Sequence, residues 1–297
     1  MTTDTNGART GRPVCVVSGA GGLVGRHLLP LMAEWDVIAI ARQPGDALPW
    51  VRYHVHDLTD VHAFDALPAH ADAVIHLAQS RRFREFPDGA ADVLAVNVAA
   101  TERLARYAAQ AGARHFVLTS SGGVYAPSSA AFSEDAPLST PQQAGWYQAS
   151  KLAAEAIVHA HRGALVPVVL RPFFIYGSGQ QRHMLMPRLW DTIRRNDVVQ
   201  LAGPDGMYFS PTHANDAARA VLRALQLTEP ATINVRGPDV VSLRTVCEMI
   251  GQQVQIKPQF MCSPSAGPSY VADAHRMERM LGAATCRFAD HVASIGQ

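Results

Sequence analysis

The 297-residue sequence lacks an excess of either charge, and it lacks cysteine motifs. Lysine and arginine number 26 against 25 aspartates and glutamates, so a net charge of +1 provides no overall field for nucleic acid or an anionic membrane. The cysteines Cys15, Cys247, Cys262 and Cys286 are far apart and form no CxxC or Cys/His ligand pattern. We therefore expect no nucleic-acid partner, no metal site, and reduced thiols in a cytoplasmic protein.

The sequence also lacks long apolar runs. None approaches the ~20 residues that a membrane helix needs, so no membrane partner is expected. Residues 1–12 are polar, lack the apolar middle of a signal peptide, and predict a short disordered tail. What is present in quantity is apolar material: 48% of the residues are hydrophobic and 17% charged, which is enough for a large core.

Short apolar runs alternate with helical patterns over the first half of the chain. The predicted strands are residues 14–18, 37–41, 51–55, 73–78, 115–120 and 166–170. The predicted helices are residues 23–33, 90–111 and 147–161. Strands that are apolar throughout indicate a parallel sheet covered on both faces. The sequence therefore predicts an α/β fold with a doubly wound parallel sheet of the Rossmann type.

The regular alternation fades after about Phe173. Helical patterns at residues 184–195, 215–225 and 243–250 are separated by breaks rich in proline and glycine. We expect residues 13–173 to form the dinucleotide-binding core. Residues 174–297 are expected to form mainly a smaller substrate-binding lobe, with segments that return to the core.

Gly19, Gly22 and Gly25 follow the first predicted strand directly and open the first predicted helix. A glycine-rich turn lets the backbone approach a pyrophosphate, and a helix N-terminus favours negative charge. A plain tight turn is the alternative. The position between a strand and a helix is the context that the dinucleotide motif requires, so we predict a cofactor site here.

Tyr147 and Lys151 are four residues apart on a predicted helix, so their side chains share one face. A tyrosine with its ordinary pKa of about 10 is a poor base, and a nearby ammonium favours its phenolate. Such a pair occurs often by chance. The pair is significant because other motifs accompany it in the chain. Ser121 lies in TSSGGVYA at the end of the fifth strand, and LRPFFIYG spans residues 170–177.

Together these motifs resemble those of the extended short-chain dehydrogenase/reductase family, and the resemblance covers almost the whole chain. The GxxGxxG spacing agrees, as do Asp57-Leu58 after strand three, HLA at residues 76–78 and Asn97 on the long helix. The resemblance implies catalysis by Ser121, Tyr147 and Lys151, with Ser120 as a less favoured alternative to Ser121. The implied cofactor contacts are Gly19, Gly22, Leu23, Gly25, Asp57, Leu58, Leu77, Ala78, Asn97, Tyr147 and Lys151.

The implied activity is the interconversion of a secondary alcohol and a ketone by hydride transfer, on a sugar-like or other small carbonyl substrate. A reductase and an epimerase both fit, and the resemblance implies a homodimer. NAD enzymes carry an acid at the end of strand two, where this chain has Ala41 followed by Arg42. Arg42 suits a 2′-phosphate, so NADP is favoured over NAD, although Arg42 as a solvated surface residue is the alternative.

Departures from the family pattern narrow the reaction. Gly122 and Gly123 stand where 4,6-dehydratases carry an Asp-Glu pair, so sugar dehydration is not expected. Phe174 and Phe209 replace an asparagine and an arginine that hold a nucleotide diphosphate, and a buried phosphate without cations is costly. These two phenylalanines, with Gly122 and Arg81, are the candidate substrate contacts.

Two alternatives stay open at this point. One is a nucleotide-sugar epimerase whose phosphate anchors have moved to other arginines, namely Arg182, Arg188, or Arg81, Arg82 and Arg84. The other is a non-catalytic protein that senses NADP, although such proteins usually lose the tyrosine or the lysine that this chain keeps.

Overall fold

A parallel sheet forms the centre of the molecule in the computed structural model, which describes residues 11–265, 267 and 269–297. The strands are β1 (Val14–Ser18), β2 (Asp36–Ala41), β3 (Val51–Val55), β4 (Ala73–His76), β5 (His115–Thr119), β6 (Val166–Pro172), β7 (Ile175–Tyr176), β8 (Val198–Ala202), β9 (Tyr208–Phe209), β10 (Thr212–His213), β11 (Ala231–Val235), β12 (Val241–Ser242), β13 (Gln259–Ser263) and β14 (Ser269–Tyr270). The helices are α1 (Leu23–Leu28), α2 (Ala90–Leu94), α3 (Ala100–Gln110), α4 (Trp146–Ala160), α5 (Leu185–Arg194), α6 (Ala214–Ala224), α7 (Leu243–Val254), α8 (His275–Leu281) and α9 (Phe288–His291).

The central sheet runs in the order β11-β6-β5-β4-β1-β2-β3, and every neighbouring pair in it is parallel. One face is covered by α1, α6 and α8, which contribute Leu28, Val221 and Met277 to a buried cluster. The other face is covered by α3 and α4, which contribute Leu104 and Val158. Both faces of the strands are therefore apolar, and the predicted doubly wound α/β fold is confirmed.

Segments from the second half of the chain complete this sheet. Strand β11 pairs with β6 from Ala231 opposite Val168 to Val235 opposite Pro172. The remaining C-terminal elements enclose a third cluster of buried residues, in which Leu189, Phe209 and Ile250 meet. Chain beyond residue 173 thus belongs partly to the central sheet and partly to a smaller lobe.

Several predicted boundaries differ from the observed ones. The first helix ends at Leu28 and continues as a 3₁₀ turn, Leu29–Leu31, that contains Pro30. The long predicted helix contains a π-helical turn, Ala95–Ala99, between α2 and α3. Residues 1–10 of the predicted tail lie outside the described residues. No helix in the described part of the chain is long and apolar enough to cross a membrane.

Candidate active site

The site lies at the edge of the sheet where the parallel strands end. Strands β1, β4 and β5 are neighbours, so the glycine turn after β1, the segment after β4 and Ser121 after β5 meet there. Helix α4 carries Tyr147 and Lys151 on the face that covers β5 and β6. This edge is where doubly wound folds bind their ligands.

The glycine turn has no room for side chains at two of its positions. A Cβ at Gly19, whose φ is +74°, would lie 2.5 Å from the Ala78 backbone nitrogen. A Cβ at Gly25 would lie 2.4 Å from the Ala20 carbonyl oxygen. The exposed backbone at Gly22 precedes α1, and Leu23 is half-buried. A turn without side chains fits the close approach of a pyrophosphate, so these residues fit a bound dinucleotide.

Ser121 and Ser120 lie next to each other but have different surroundings. Ser121 is half-buried, and its Oγ accepts a hydrogen bond from the Gly123 backbone N–H at 3.1 Å. Ser120 is buried, and its hydroxyl donates to the carboxylate of Glu155. Of the two serines, Ser121 is the one that shares a hydrogen bond with Tyr147.

Tyr147 and Lys151 lie close together, as their spacing predicts. The Tyr147 hydroxyl donates to Oε1 of Gln79 at 3.0 Å. The Lys151 ammonium is buried, donates to the Thr119 carbonyl oxygen at 2.9 Å, and lies 5.9 Å from the centroid of the Tyr147 ring. The geometry brings a hydroxyl, a phenol and an ammonium to one place, and groups of these types can donate or accept protons.

Burial shifts the pKa of both residues. Burial raises the pKa of Tyr147 to about 12, against the lowering effects of a hydrogen bond with Ser121 and of the Arg84 charge. Burial lowers the pKa of Lys151 to about 8, against the raising effect of the Glu155 carboxylate. At neutral pH the phenol is therefore protonated and the ammonium mostly charged.

A buried polar network supports the site from behind. Arg171 on β6 binds Glu155 on α4 through two bonds, from Nε at 3.0 Å and from Nη2 at 2.6 Å. Its Nη1 donates to the Tyr125 hydroxyl at 2.9 Å, and that hydroxyl donates to Asn234 at 2.7 Å. Since each charge is paired and hydrogen-bonded, the network fixes α4 against β6 and β11.

The predicted cofactor contacts differ in exposure. Asp57 accepts hydrogen bonds from the backbone and hydroxyl of Thr59, both at 2.9 Å, which lower the pKa of its carboxyl group. Leu58 is buried in the core, whereas Leu77 and Ala78 are half-buried beside the glycine turn. Their direct contact with a cofactor stays a prediction.

Asn97 lies in the π-helical turn and is buried. Its Oδ1 accepts from the Ser80 backbone N–H at 2.9 Å, and its Nδ2 donates to Ser150 Oγ at 2.9 Å. These bonds join the segment after β4 to the helix that carries Tyr147. Asn97 therefore positions two parts of the site, whatever contact it makes with a cofactor.

Arg42 is exposed at the end of β2. Its charge acts on two other charged residues, Asp57 and Arg81. Its charge lowers the pKa of the Asp57 carboxyl group, after the Thr59 hydrogen bonds and against burial. Burial and then the Arg42 charge lower the pKa of the Arg81 guanidinium. Arg81, predicted as a substrate contact, thus lies within electrostatic reach of Arg42.

Two other predicted substrate contacts are buried. Phe209 is 0% exposed, and its ring centroid lies 4.7 Å from that of Phe174. Gly122 is buried as well, and a Cβ there would lie 2.5 Å from the Phe173 ring. Neither Phe209 nor Gly122 offers a side-chain surface to a ligand, because aromatic packing fills these positions. Phe174 is half-buried, with a φ of 43° that is unusual for a residue with a side chain.

Comparison with known proteins decides the family. The sequence model of the NAD dependent epimerase/dehydratase family matches residues 15–235, which include the glycine turn, Ser121, Tyr147 and Lys151. The chain belongs to this family. The resemblance to extended short-chain dehydrogenases/reductases is thereby confirmed, and the protein is an NAD(P)-dependent enzyme of that type. A non-catalytic sensing protein is set aside.

Members of the epimerase/dehydratase family resemble this chain over nearly its whole length. The dTDP-4-dehydro-6-deoxy-D-allose reductase of Streptomyces bikiniensis is 27% identical over 311 residues, which cover 95% of this chain and 93% of that protein. MoeE5, solved in complex with UDP-glucuronic acid and NAD, has a TM-score of 0.81 at 27% identity and covers 94% of this chain and 96% of its own. The UDP-glucuronic acid 4-epimerase from Bacillus cereus has a TM-score of 0.80 at 21% identity, covering 95% of this chain and 98% of its own, which shows the common fold.

The sequence motifs did not point to Gln79 and Phe83 beside Tyr147, and they named Arg84 only as an alternative phosphate anchor. Gln79 accepts the hydrogen bond of Tyr147, and the Phe83 ring lies 5.0 Å from the Tyr147 ring. The Arg84 guanidinium lies 5.1 Å from the Phe83 centroid. The available signal was position, since Gln79 follows the predicted fourth strand directly and Phe83 and Arg84 come a few residues later. Within the described ranges, no group of three or more His, Cys, Asp or Glu side chains could hold a metal ion.

Proposed function

We propose that this enzyme interconverts a secondary alcohol and a ketone, with Ser121, Tyr147 and Lys151 as its catalytic residues. The observation that carries the proposal is the convergence of these three side chains beside the glycine turn at one edge of the sheet. A bound nicotinamide would supply the hydride chemistry. The Ser121 hydroxyl would bind the reacting oxygen, the Tyr147 hydroxyl would move the proton, and the Lys151 charge would favour the phenolate.

We further propose that the cofactor is NADP and that the reaction is a reduction. Ala41 ends β2 without a carboxylate for the ribose hydroxyls, and Arg42 and Arg81 bring two positive charges close together. Two guanidinium groups bind the 2′-phosphate of NADP more strongly than they bind the 2′-hydroxyl of NAD. NADPH mostly serves reductions, and the reductase from Streptomyces bikiniensis, with its dehydro-deoxysugar nucleotide, supports a keto-sugar substrate.

The second candidate is a nucleotide-sugar epimerase that retains NAD. It is supported by MoeE5, whose complexes contain NAD with UDP-glucuronic acid or UDP-glucose. This candidate needs phosphate anchors other than positions 174 and 209, because those hold phenylalanines packed against each other. A 4,6-dehydration is not proposed, since the buried Gly122 leaves no space for the acidic side chain.

The first experiment is to denature the purified protein and identify any released nucleotide by mass spectrometry. Stoichiometric NAD would support the epimerase. A protein that is purified without nucleotide and then binds NADPH would support the reductase, and dehydro-sugar nucleotides and simple ketones should then be assayed as substrates.

Substitution of Tyr147 tests the catalytic assignment. We expect Tyr147→Phe to lower kcat at least 100-fold, the usual contribution of a general acid, while cofactor affinity stays nearly unchanged. Lys151→Ala should reduce both turnover and cofactor affinity. Tyr107→Phe is the control, because Tyr107 lies on α3 and bonds Pro68 outside the site. A Tyr147→Phe enzyme with most of its activity would refute the assignment.

A further inference from the structure

The hydroxyl of Tyr147 donates its proton to the side chain of Gln79. The distance from Oη to Oε1 is 3.0 Å. A phenol has one O–H to donate, and an amide oxygen can only accept, so this bond exists only while Tyr147 is protonated. Gln79 therefore accepts the same O–H that the proposed function assigns to the carbonyl oxygen of a substrate.

The backbone on both sides of Gln79 is firmly held. On one side, the Leu77 N–H donates to the Ser18 carbonyl oxygen at 3.0 Å, and Gly19 packs against Ala78. On the other side, the Ser80 N–H donates to Asn97 Oδ1 at 2.9 Å. The position of Gln79 is thus determined by the glycine turn and by the π-helical turn.

The same asparagine connects to the other partner of the bond. Asn97 Nδ2 donates to Ser150 Oγ at 2.9 Å, and Ser150 Oγ donates to the Tyr147 carbonyl oxygen at 2.7 Å. Asn97 and Ser150 are both buried. Gln79, Ser80, Asn97, Ser150 and Tyr147 therefore form a closed ring of covalent and hydrogen bonds that brings the exposed Gln79 side chain to the Tyr147 hydroxyl.

We propose that Gln79 is a positioning residue. Its amide oxygen orients the Tyr147 O–H as a proton donor until the substrate binds, and the O–H then bonds to the carbonyl oxygen of the substrate instead. The proposal rests on the proposed function. In the reductive direction a hydride from a bound nicotinamide would form the C–H bond at the carbonyl carbon, while the Tyr147 Oη–H bond breaks and its proton forms an O–H bond on the carbonyl oxygen. A proton from solvent then neutralises the phenolate, and the bond to Gln79 forms again.

Several other groups around Tyr147 favour its deprotonated form. Ser121 and the Arg84 charge favour the phenolate, and Lys151 does so when it is charged. Glu155 stabilises the charge of Lys151, and His76 beneath the site is buried, with its pKa lowered to about 3, and therefore neutral. Burial also favours the protonated form, and Gln79 does so through a hydrogen bond that a substitution can remove.

The test compares Gln79→Ala and Gln79→Glu with the unchanged enzyme. The pKa of Tyr147 is measured in the full chain by NMR of tyrosine labelled with ¹³C at Cζ, with Tyr147→Phe to assign the signal. Gln79→Ala removes the acceptor and should lower this pKa by about one unit, the effect of one hydrogen bond. Gln79→Glu keeps an acceptor and adds a negative charge, so it should raise the pKa.

Gln110→Ala is the matched control, because Gln110 is exposed at the far end of α3 and should leave the titration unchanged. Equal titration midpoints of Tyr147 in all four proteins would overturn the proposal. So would shifts of the same sign for Ala and Glu, which would indicate a general disturbance. If Tyr147→Phe keeps its turnover, the proposed function fails; if it loses turnover but the Gln79 variants shift nothing, only the role of Gln79 fails.

Discussion

Neighbouring residues just beyond the ends of β5 and β6 have different surroundings. Ser120 binds Glu155 in the core, while Ser121 shares a hydrogen bond with Tyr147. Phe173 is buried against Gly122, and the next residue, Phe174, is half-buried in the adjacent lobe. Motif matching names such pairs, but the direction of each side chain decides which member can touch a ligand.

Arg42 provides a residue-scale test of the cofactor. We expect Arg42→Ala to weaken NADPH binding about 10- to 100-fold, the value of a charge-assisted hydrogen bond, and NADH binding much less. Dissociation constants from cofactor fluorescence measure both. Arg52→Ala on β3 is the control, since Arg52 is exposed and paired with Asp36. Equal losses for the two cofactors would rule out the NADP assignment.

The titration of His213 should make the stability of the fold depend on pH. Burial, with the charges of His291 and His27, lowers its pKa to about 4, below the value of about 6.5 in an unfolded chain. Between these values the unfolded state binds more protons, so the free energy of unfolding decreases as the pH falls from about 6.5. At pH 5 the titration of His213 should lower the free energy of unfolding by about 2 kcal/mol relative to neutral pH.

Urea unfolding at pH 7 and pH 5 measures this loss. His213→Asn should reduce the loss by about 2 kcal/mol, because asparagine does not titrate and can still accept from the Asn215 N–H at the start of α6. His275→Asn is the control, with a side chain that is 93% exposed. The prediction is wrong if His213→Asn and the unchanged chain lose the same stability.

At the scale of the element, the turn between β1 and α1 depends on backbone approach. Gly25→Ala would ordinarily stabilise a helix, but here its Cβ would lie 2.4 Å from the Ala20 carbonyl oxygen. We expect the clash to cost about 1–3 kcal/mol of stability and to weaken cofactor binding, since the turn must shift. Thermal unfolding and cofactor titration test this.

Gly163→Ala is the matched control, because a Cβ there meets nothing within 4 Å. Unchanged stability and cofactor affinity in both variants would mean that the turn is more adaptable than its contacts indicate.

For the whole molecule, the position of β11 indicates that the two halves of the chain fold together. A fragment of residues 11–173 would lack β11, the edge strand beside β6, and α6, which covers one face of the sheet. We expect this fragment to show no cooperative unfolding transition by circular dichroism, in contrast to the full chain. A cooperative transition in the fragment would make residues 13–173 an independent domain. The homodimer and the cytoplasmic location stay predictions.

The sequence by itself predicted the parallel sheet, the glycine turn, and the order of strands and helices up to residue 173, and it proposed the Ser-Tyr-Lys set; the strands from β7 to β14 were not predicted. These features depend on local patterns: apolar runs, the four-residue spacing of Tyr147 and Lys151, and glycines between a strand and a helix. The prediction that Arg42 binds a 2′-phosphate also depended on local sequence, because it required only the position at which the second predicted strand ends.

Contacts between residues far apart in sequence were decided by the tertiary structure. Gln79 meets Tyr147 across 68 positions, and Tyr125 meets Asn234 across 109, because parallel strands bring their ends to one edge whatever their separation along the chain. The burial of Phe209 and Gly122 likewise depends on rings that approach from other elements. A sequence pattern records which residues are apolar, but only packing decides which of them fill space and which of them face a ligand.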